Sequence, residues 1–97
     1  MDRSEILRRL AQQRRAVQQL GVRRLGLFGS IARGEETSTS DVDVLVELER
    51  NSFDAYMDLK FFLEELLQRR VDLVLADTVK PRLRERILKE TVYVPGF

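Results

Sequence analysis

Two aspartates one residue apart, Asp41 and Asp43, open an apolar run that reads Asp41-Val42-Asp43-Val44-Leu45-Val46. Side chains on a strand alternate between faces, so both carboxylates look one way while Val42 and Val44 look the other. Their Cα atoms then lie ~7 Å apart, and rotamers bring the carboxylate tips to ~4 Å of each other. At an effective dielectric of about 20, two bare charges at that distance repel by roughly 4 kcal/mol. A divalent cation offsets the repulsion. Hard oxygen ligands suit magnesium, which keeps several waters and takes one or two protein carboxylates together with substrate phosphates. An isolated pair of this kind is equally compatible with one aspartate capping a loop and both splaying into solvent.

Gly29-Ser30 precedes the pair by ten residues and follows a second apolar run, Leu25 to Phe28. Glycine lets a backbone approach a ligand closely, and a helix starting there offers free N–H groups to an anion. The Ser30 hydroxyl adds a donor. Arg33, about one helical turn on, can bring its guanidinium fork to the same anion, and Gly34 ends so short a helix. Alone, Gly29-Ser30 is an ordinary strand-to-helix turn. With two carboxylates opening the next strand, it sets a phosphate cradle beside a metal site, which is what nucleotide chemistry requires.

Two other phosphate or metal motifs are excluded. Gly29 to Gly34 fits the GxxxxG half of a P-loop, but Glu35-Glu36 stands where Lys-Ser/Thr is needed. An EF-hand loop requires a third polar ligand and a glycine soon after the aspartates, and the run from Asp41 has neither.

Gly29-Ser30, ten residues, then Asp41-Val42-Asp43 resembles the signature of the DNA polymerase β-like nucleotidyltransferase superfamily. The fuller form, Gly29-Ser30-Ile31-Ala32-Arg33-Gly34 with Ser40-Asp41-Val42-Asp43, is similar to its minimal nucleotidyltransferase branch, and the resemblance runs from Val22 to about Val94. It implies an α/β fold, a small mixed β-sheet of three to four strands with helices packed on it, like the polymerase β palm. It also implies a two-metal magnesium site, ATP as substrate, and a third carboxylate on the following core strand. Asp72 matches that position by strand order.

The elements that must position these residues follow from periodicity. At 97 residues the chain reads as one minimal nucleotidyltransferase domain, residues 1–97. Ser4 is a candidate N-cap for one helix running to Leu20, with Ile6, Leu7, Leu10, Val17 and Leu20 as its apolar stripe and Gly21 as its stop. Its arginine-rich face, Arg8, Arg9, Arg14 and Arg15, fits a solvated surface or a contact with an acidic partner. Strands are expected at Val22 to Phe28, Val42 to Leu48 and Val71 to Leu75, with a polar loop from Arg33 to Ser40 and a short edge strand at Thr91 to Val94. Asn51 or Ser52 caps a helix from Phe53 to about Gln68, and a last helix runs from Thr78 with Pro81 in its first turn.

Two features of these elements bear on function. Asp72 lies inside an apolar strand, where a carboxylate is costly unless solvated or paired with a cation. If that strand lies beside Val42 to Leu48, Asp72 faces the same site as Asp41 and Asp43; otherwise it is a strand-edge aspartate. Asp77, past the strand end, reads as a turn or cap residue. The helix from Phe53 to Gln68 is too apolar all round for one narrow stripe, which fits either a second buried surface, a partner or a homodimer, or enclosure between the first helix and the sheet.

Composition bounds the rest. A formal net charge of +1 argues against a general nucleic-acid binder. No run is long enough to span a membrane, and there is no cysteine or histidine for a disulfide or structural zinc. A cytoplasmic location fits by default. The resemblance implies transfer of AMP from ATP to a hydroxyl, with a tyrosine of a helical HEPN toxin as acceptor and the chain acting as its antitoxin. The alternatives are a nucleotide-binding antitoxin that neutralises by contact alone, and transfer to a small molecule or RNA end.

Overall fold

The period-two runs become strands. In the computed structural model, which describes residues 1–35, 37 and 40–97, β1 spans Val22–Phe28, β2 Val42–Leu48, β3 Val71–Leu75 and β4 Val92–Tyr93. They form one mixed sheet in the order β3-β2-β1-β4. β1 is antiparallel to β2 and β4, while β2 and β3 run parallel. A parallel pair needs a long crossover, and the helix Phe53–Leu67 supplies it. Of the loop expected from Arg33 to Ser40, residues 36, 38 and 39 lie outside the described residues.

Among the described residues, five α-helices accompany the sheet: α1 Arg3–Gln12, α2 Arg14–Gln19, α3 Gly29–Ala32, α4 Phe53–Leu67 and α5 Pro81–Glu90. The single N-terminal helix expected to Leu20 is therefore two. Gln13 breaks it at φ −99°, ψ 17°. The break lets α1 pack against α4 while α2 packs against β1, so each segment turns its own stripe inward. The N-cap is Asp2, not Ser4: its carboxylate accepts the Glu5 N–H at 2.9 Å. The spacing Asp2-x-x-Glu5 is that of a capping box. At the other end of the chain, Thr78 belongs to a 3-10 turn, Ala76–Thr78, and the helix proper starts at Pro81.

One face of the sheet is sealed. Leu25 and Leu27 of β1, Val42, Val44 and Val46 of β2, and Leu73 of β3 meet Ile6, Leu10, Leu59, Leu63 and Leu67 in a single apolar cluster. Leu59, Leu63 and Leu67 recur every four residues, so α4 buries one stripe. Tyr56, Phe62 and Leu66 pack at its margin, and Phe53 and Phe61 are left 77% and 59% exposed. The Tyr56 hydroxyl donates to the Leu73 carbonyl at 2.6 Å, tying α4 to β3. Asp43 points to the opposite face of β2, and the sheet presents it there.

Candidate active site

β2 and β3 bring two carboxylates together because their register is parallel and unshifted. Asp43 pairs with Asp72 across the ladder, between Val42↔Val71 and Val44↔Leu73. Register partners on neighbouring strands share a face about 4.8 Å apart, so Asp72 lies on the same face as Asp43. Asp41 sits just before β2 and is exposed; Asp43 is half-buried and Asp72 exposed. Asp77 stands apart from them, accepting the Asn51 side-chain amide at 2.7 Å.

The electrostatics of the group centre on Asp43. Its carboxyl is pushed up to about 6, first by burial, then by the negative charges of Asp72 and Asp41, with the Arg33 guanidinium pulling the other way. A carboxylate held against its ionisation by neighbouring carboxylates is one that a cation would relieve. Among the described residues, no group of three or more acidic side chains is already gathered closely enough to hold an ion. Asp43 and Asp72 are the part positioned by strands, and Asp41 lies on the segment leading into β2. The donors are all hard oxygens, a set that fits magnesium.

Beside the carboxylates stands the cradle. β1 ends at Phe28, Gly29 takes φ +70°, and α3 follows. A Cβ at position 29 would overlap the Asp43 carboxylate, so the turn needs glycine for both its angle and its space. Ile31 and Ala32 are buried and anchor α3. Gly34, at φ +73°, follows its end, and Arg3 donates to the Ala32 carbonyl at 2.7 Å from outside. The Gly29 N–H and the Arg33 guanidinium, two of the groups expected to face an anion, meet on a carboxylate of the chain itself. Glu90, the last residue of α5, accepts the Gly29 N–H at 3.2 Å and the Arg33 guanidinium at 3.0 Å. Arg33 also pairs with Glu35.

Sequence reasoning missed three residues that shape the site. Glu90 gives no local signal, being 61 residues from Gly29. Arg69 donates to the carbonyls of Thr37 and Ser40, holding the segment that carries Asp41 against the start of β3. Arg3 steadies α3. A cleft elsewhere, among Arg24, Glu47, Asp77, Arg84 and Tyr93, contains none of the three aspartates. Within it Arg24 lies 3.5 Å from Glu47 and 3.9 Å over the Tyr93 ring.

Comparison with known proteins identifies the family and the fold. Residues 10–94 match the family model of the nucleotidyltransferase domain. The protein adenylyltransferase MntA of Thermococcus cleftensis is 44% identical over 78 residues, 79% of either chain. A solved structure described as a candidate minimal nucleotidyltransferase superposes with a TM-score of 0.75 at 40% identity, covering 95% of both chains. The fold also matches a Shewanella oneidensis complex of a tri-AMPylated HEPN toxin with its MNT antitoxin, with a TM-score of 0.66 at 18% identity over 94% of this chain and 73% of that one. The chain belongs to the nucleotidyltransferase family, in its minimal branch.

Proposed function

We propose that this nucleotidyltransferase moves AMP from ATP to a hydroxyl, a tyrosine of a HEPN toxin, and thereby acts as the antitoxin, with residues 1–97 working as one minimal transferase domain. The observation that carries this reading is the convergence of the Asp43–Asp72 pair with the Gly29 and Arg33 donors around one end of the sheet. The Thermococcus relative is itself a protein adenylyltransferase, and the Shewanella complex contains an AMPylated toxin.

In this reading the ATP phosphates lie against Gly29-Ser30, with the Ser30 hydroxyl and the Arg33 guanidinium as further donors. Asp41, Asp43 and Asp72 hold magnesium, which when bound neutralises the charge on the phosphates. Asp72 takes the acceptor side, where it orients the hydroxyl and receives its proton. The acceptor oxygen bonds to the α-phosphorus as the bond to pyrophosphate breaks, so AMP ends on the acceptor as a phosphodiester and pyrophosphate leaves. Phe53 and Phe61, the apolar side chains that α4 leaves in solvent, are assigned to the partner face.

The test is transfer of α-labelled ATP in magnesium to a co-purified HEPN protein, with an Asp41→Asn/Asp43→Asn double variant as control. Label on the toxin, absent in the control, is the expected outcome. A stable complex without label would favour neutralisation by contact, and a labelled RNA or small molecule without any partner would overturn the protein acceptor.

A further inference from the structure

The Gly29 amide and Arg33 guanidinium are the donors assigned to phosphate, yet both already donate to Glu90. Glu90 places one carboxylate oxygen 3.2 Å from the Gly29 nitrogen and the other 3.0 Å from Arg33 Nη1. Its side chain is only 22% exposed, and it arrives from α5, the helix that packs on α3. This is two-point recognition of an anion by a backbone N–H and a guanidinium, the geometry a phosphate would use. A carboxylate and a phosphate cannot share it. Both are anionic and acceptors only, and the Gly29 N–H, with its single hydrogen, can serve one of them at a time.

We propose that Glu90 is an internal phosphate mimic that sets the protein's affinity for nucleotide: it holds the Gly29 and Arg33 donors in place and must swing out before a triphosphate binds. The inference rests on reading Gly29-Ser30 and Arg33 as the phosphate cradle. Two consequences follow. Every nucleotide-binding event competes with an intramolecular contact, which lowers apparent affinity by the fraction of molecules in which Glu90 is seated. Glu90 then acts as a positioning residue on the cradle, and its removal alters KM for ATP without raising kcat.

The experiment is calorimetric titration of the full chain with AMP-PNP in magnesium, comparing the parent protein with Glu90→Gln and Glu90→Ala. Both variants should bind about tenfold more tightly, although each loses a native contact and should melt no higher than the parent. Glu90→Gln is near-isosteric and keeps an acceptor for Gly29, while removing the charge and the second acceptor that meets Arg33. In the parent protein, the Gly29 amide and Arg33 Nη1 resonances should move together as nucleotide saturates. Unchanged or weaker binding in both variants would overturn the mimic and leave Glu90 as a strut for Arg33. Binding by the parent with no movement of the Gly29 resonance would do the same. Failure of all three proteins to bind nucleotide would instead overturn the phosphate cradle, and the mimic with it.

Discussion

The two faces of this sheet are made from the same strands and do opposite things. On the face covered by α1 and α4, β1 and β2 present Leu25, Leu27, Val42, Val44 and Val46, all buried with apolar neighbours. On the other face the same β2 presents Asp43, half-buried beside Asp72, its carboxyl pushed up to about 6 by burial and by like charge. The first face lowers the free energy of the fold and the second raises it. Period-two alternation lets one strand serve both, since moving a residue by one position moves it between a core and a reaction site. Local strain of this kind is tolerated because the sealed face stabilises the fold by more than the open face costs.

If that division holds, substitutions on the two faces should differ in sign. The largest effect on stability is expected on the sealed face. Leu63→Ala empties a fully buried position and should cost about 2–5 kcal/mol, seen as a lower denaturant midpoint with nucleotide affinity unchanged in the protein that remains folded. An equal loss of nucleotide affinity at low denaturant would show that the faces are not separable.

The next effect belongs to the open face and to pH. With the Asp43 carboxyl at about 6, its ionised fraction falls about tenfold between about pH 7 and about pH 5, and magnesium affinity should fall with it because the ligand must be deprotonated. The linkage to stability has the opposite sign. A carboxyl raised in the folded state binds its proton more tightly there than when unfolded, so the metal-free protein should gain stability as pH falls from about 6 toward about 4. A magnesium affinity that is flat across this range would remove Asp43 from the metal site.

A smaller effect probes the link between the faces. Tyr56→Phe removes the hydroxyl that donates to the Leu73 carbonyl, next in line to Asp72, and should cost about 1 kcal/mol in thermal unfolding. A loss of transfer much larger than that would mean that α4 positions β3 for catalysis as well as for packing.

Much of this was legible in the sequence. The bounds of β1, β2 and β3, the Gly29 turn, and the shared face of Asp43 and Asp72 follow from alternation and from a glycine where a strand meets a helix. What was not legible depends on partners distant in the chain. The break at Gln13 has no glycine or proline to announce it and arises because α1 and α2 pack on different neighbours. Glu90 reads as an ordinary solvent-facing residue at the end of a helix until the fold brings it to Gly29. Arg69 reads as part of a basic turn until its guanidinium is seen to bind the carbonyls of the segment before Asp41. The exposed Phe53 and Phe61 were detectable only as an excess of apolar residues on α4, because periodicity shows that a stripe is too wide without showing which side chains remain uncovered.

The most direct test joins both faces in one variant. Asp43→Asn removes a charge that the fold opposes and the proposed chemistry requires. Measured on one preparation without metal, its unfolding temperature should rise by roughly 4–8 °C, corresponding to about 1 kcal/mol once solvent screening of a half-buried carboxylate is discounted. Its transfer of labelled AMP to the partner should be lost. A variant that is both more stable and inactive is the result this account predicts; one that still transfers AMP would contradict it.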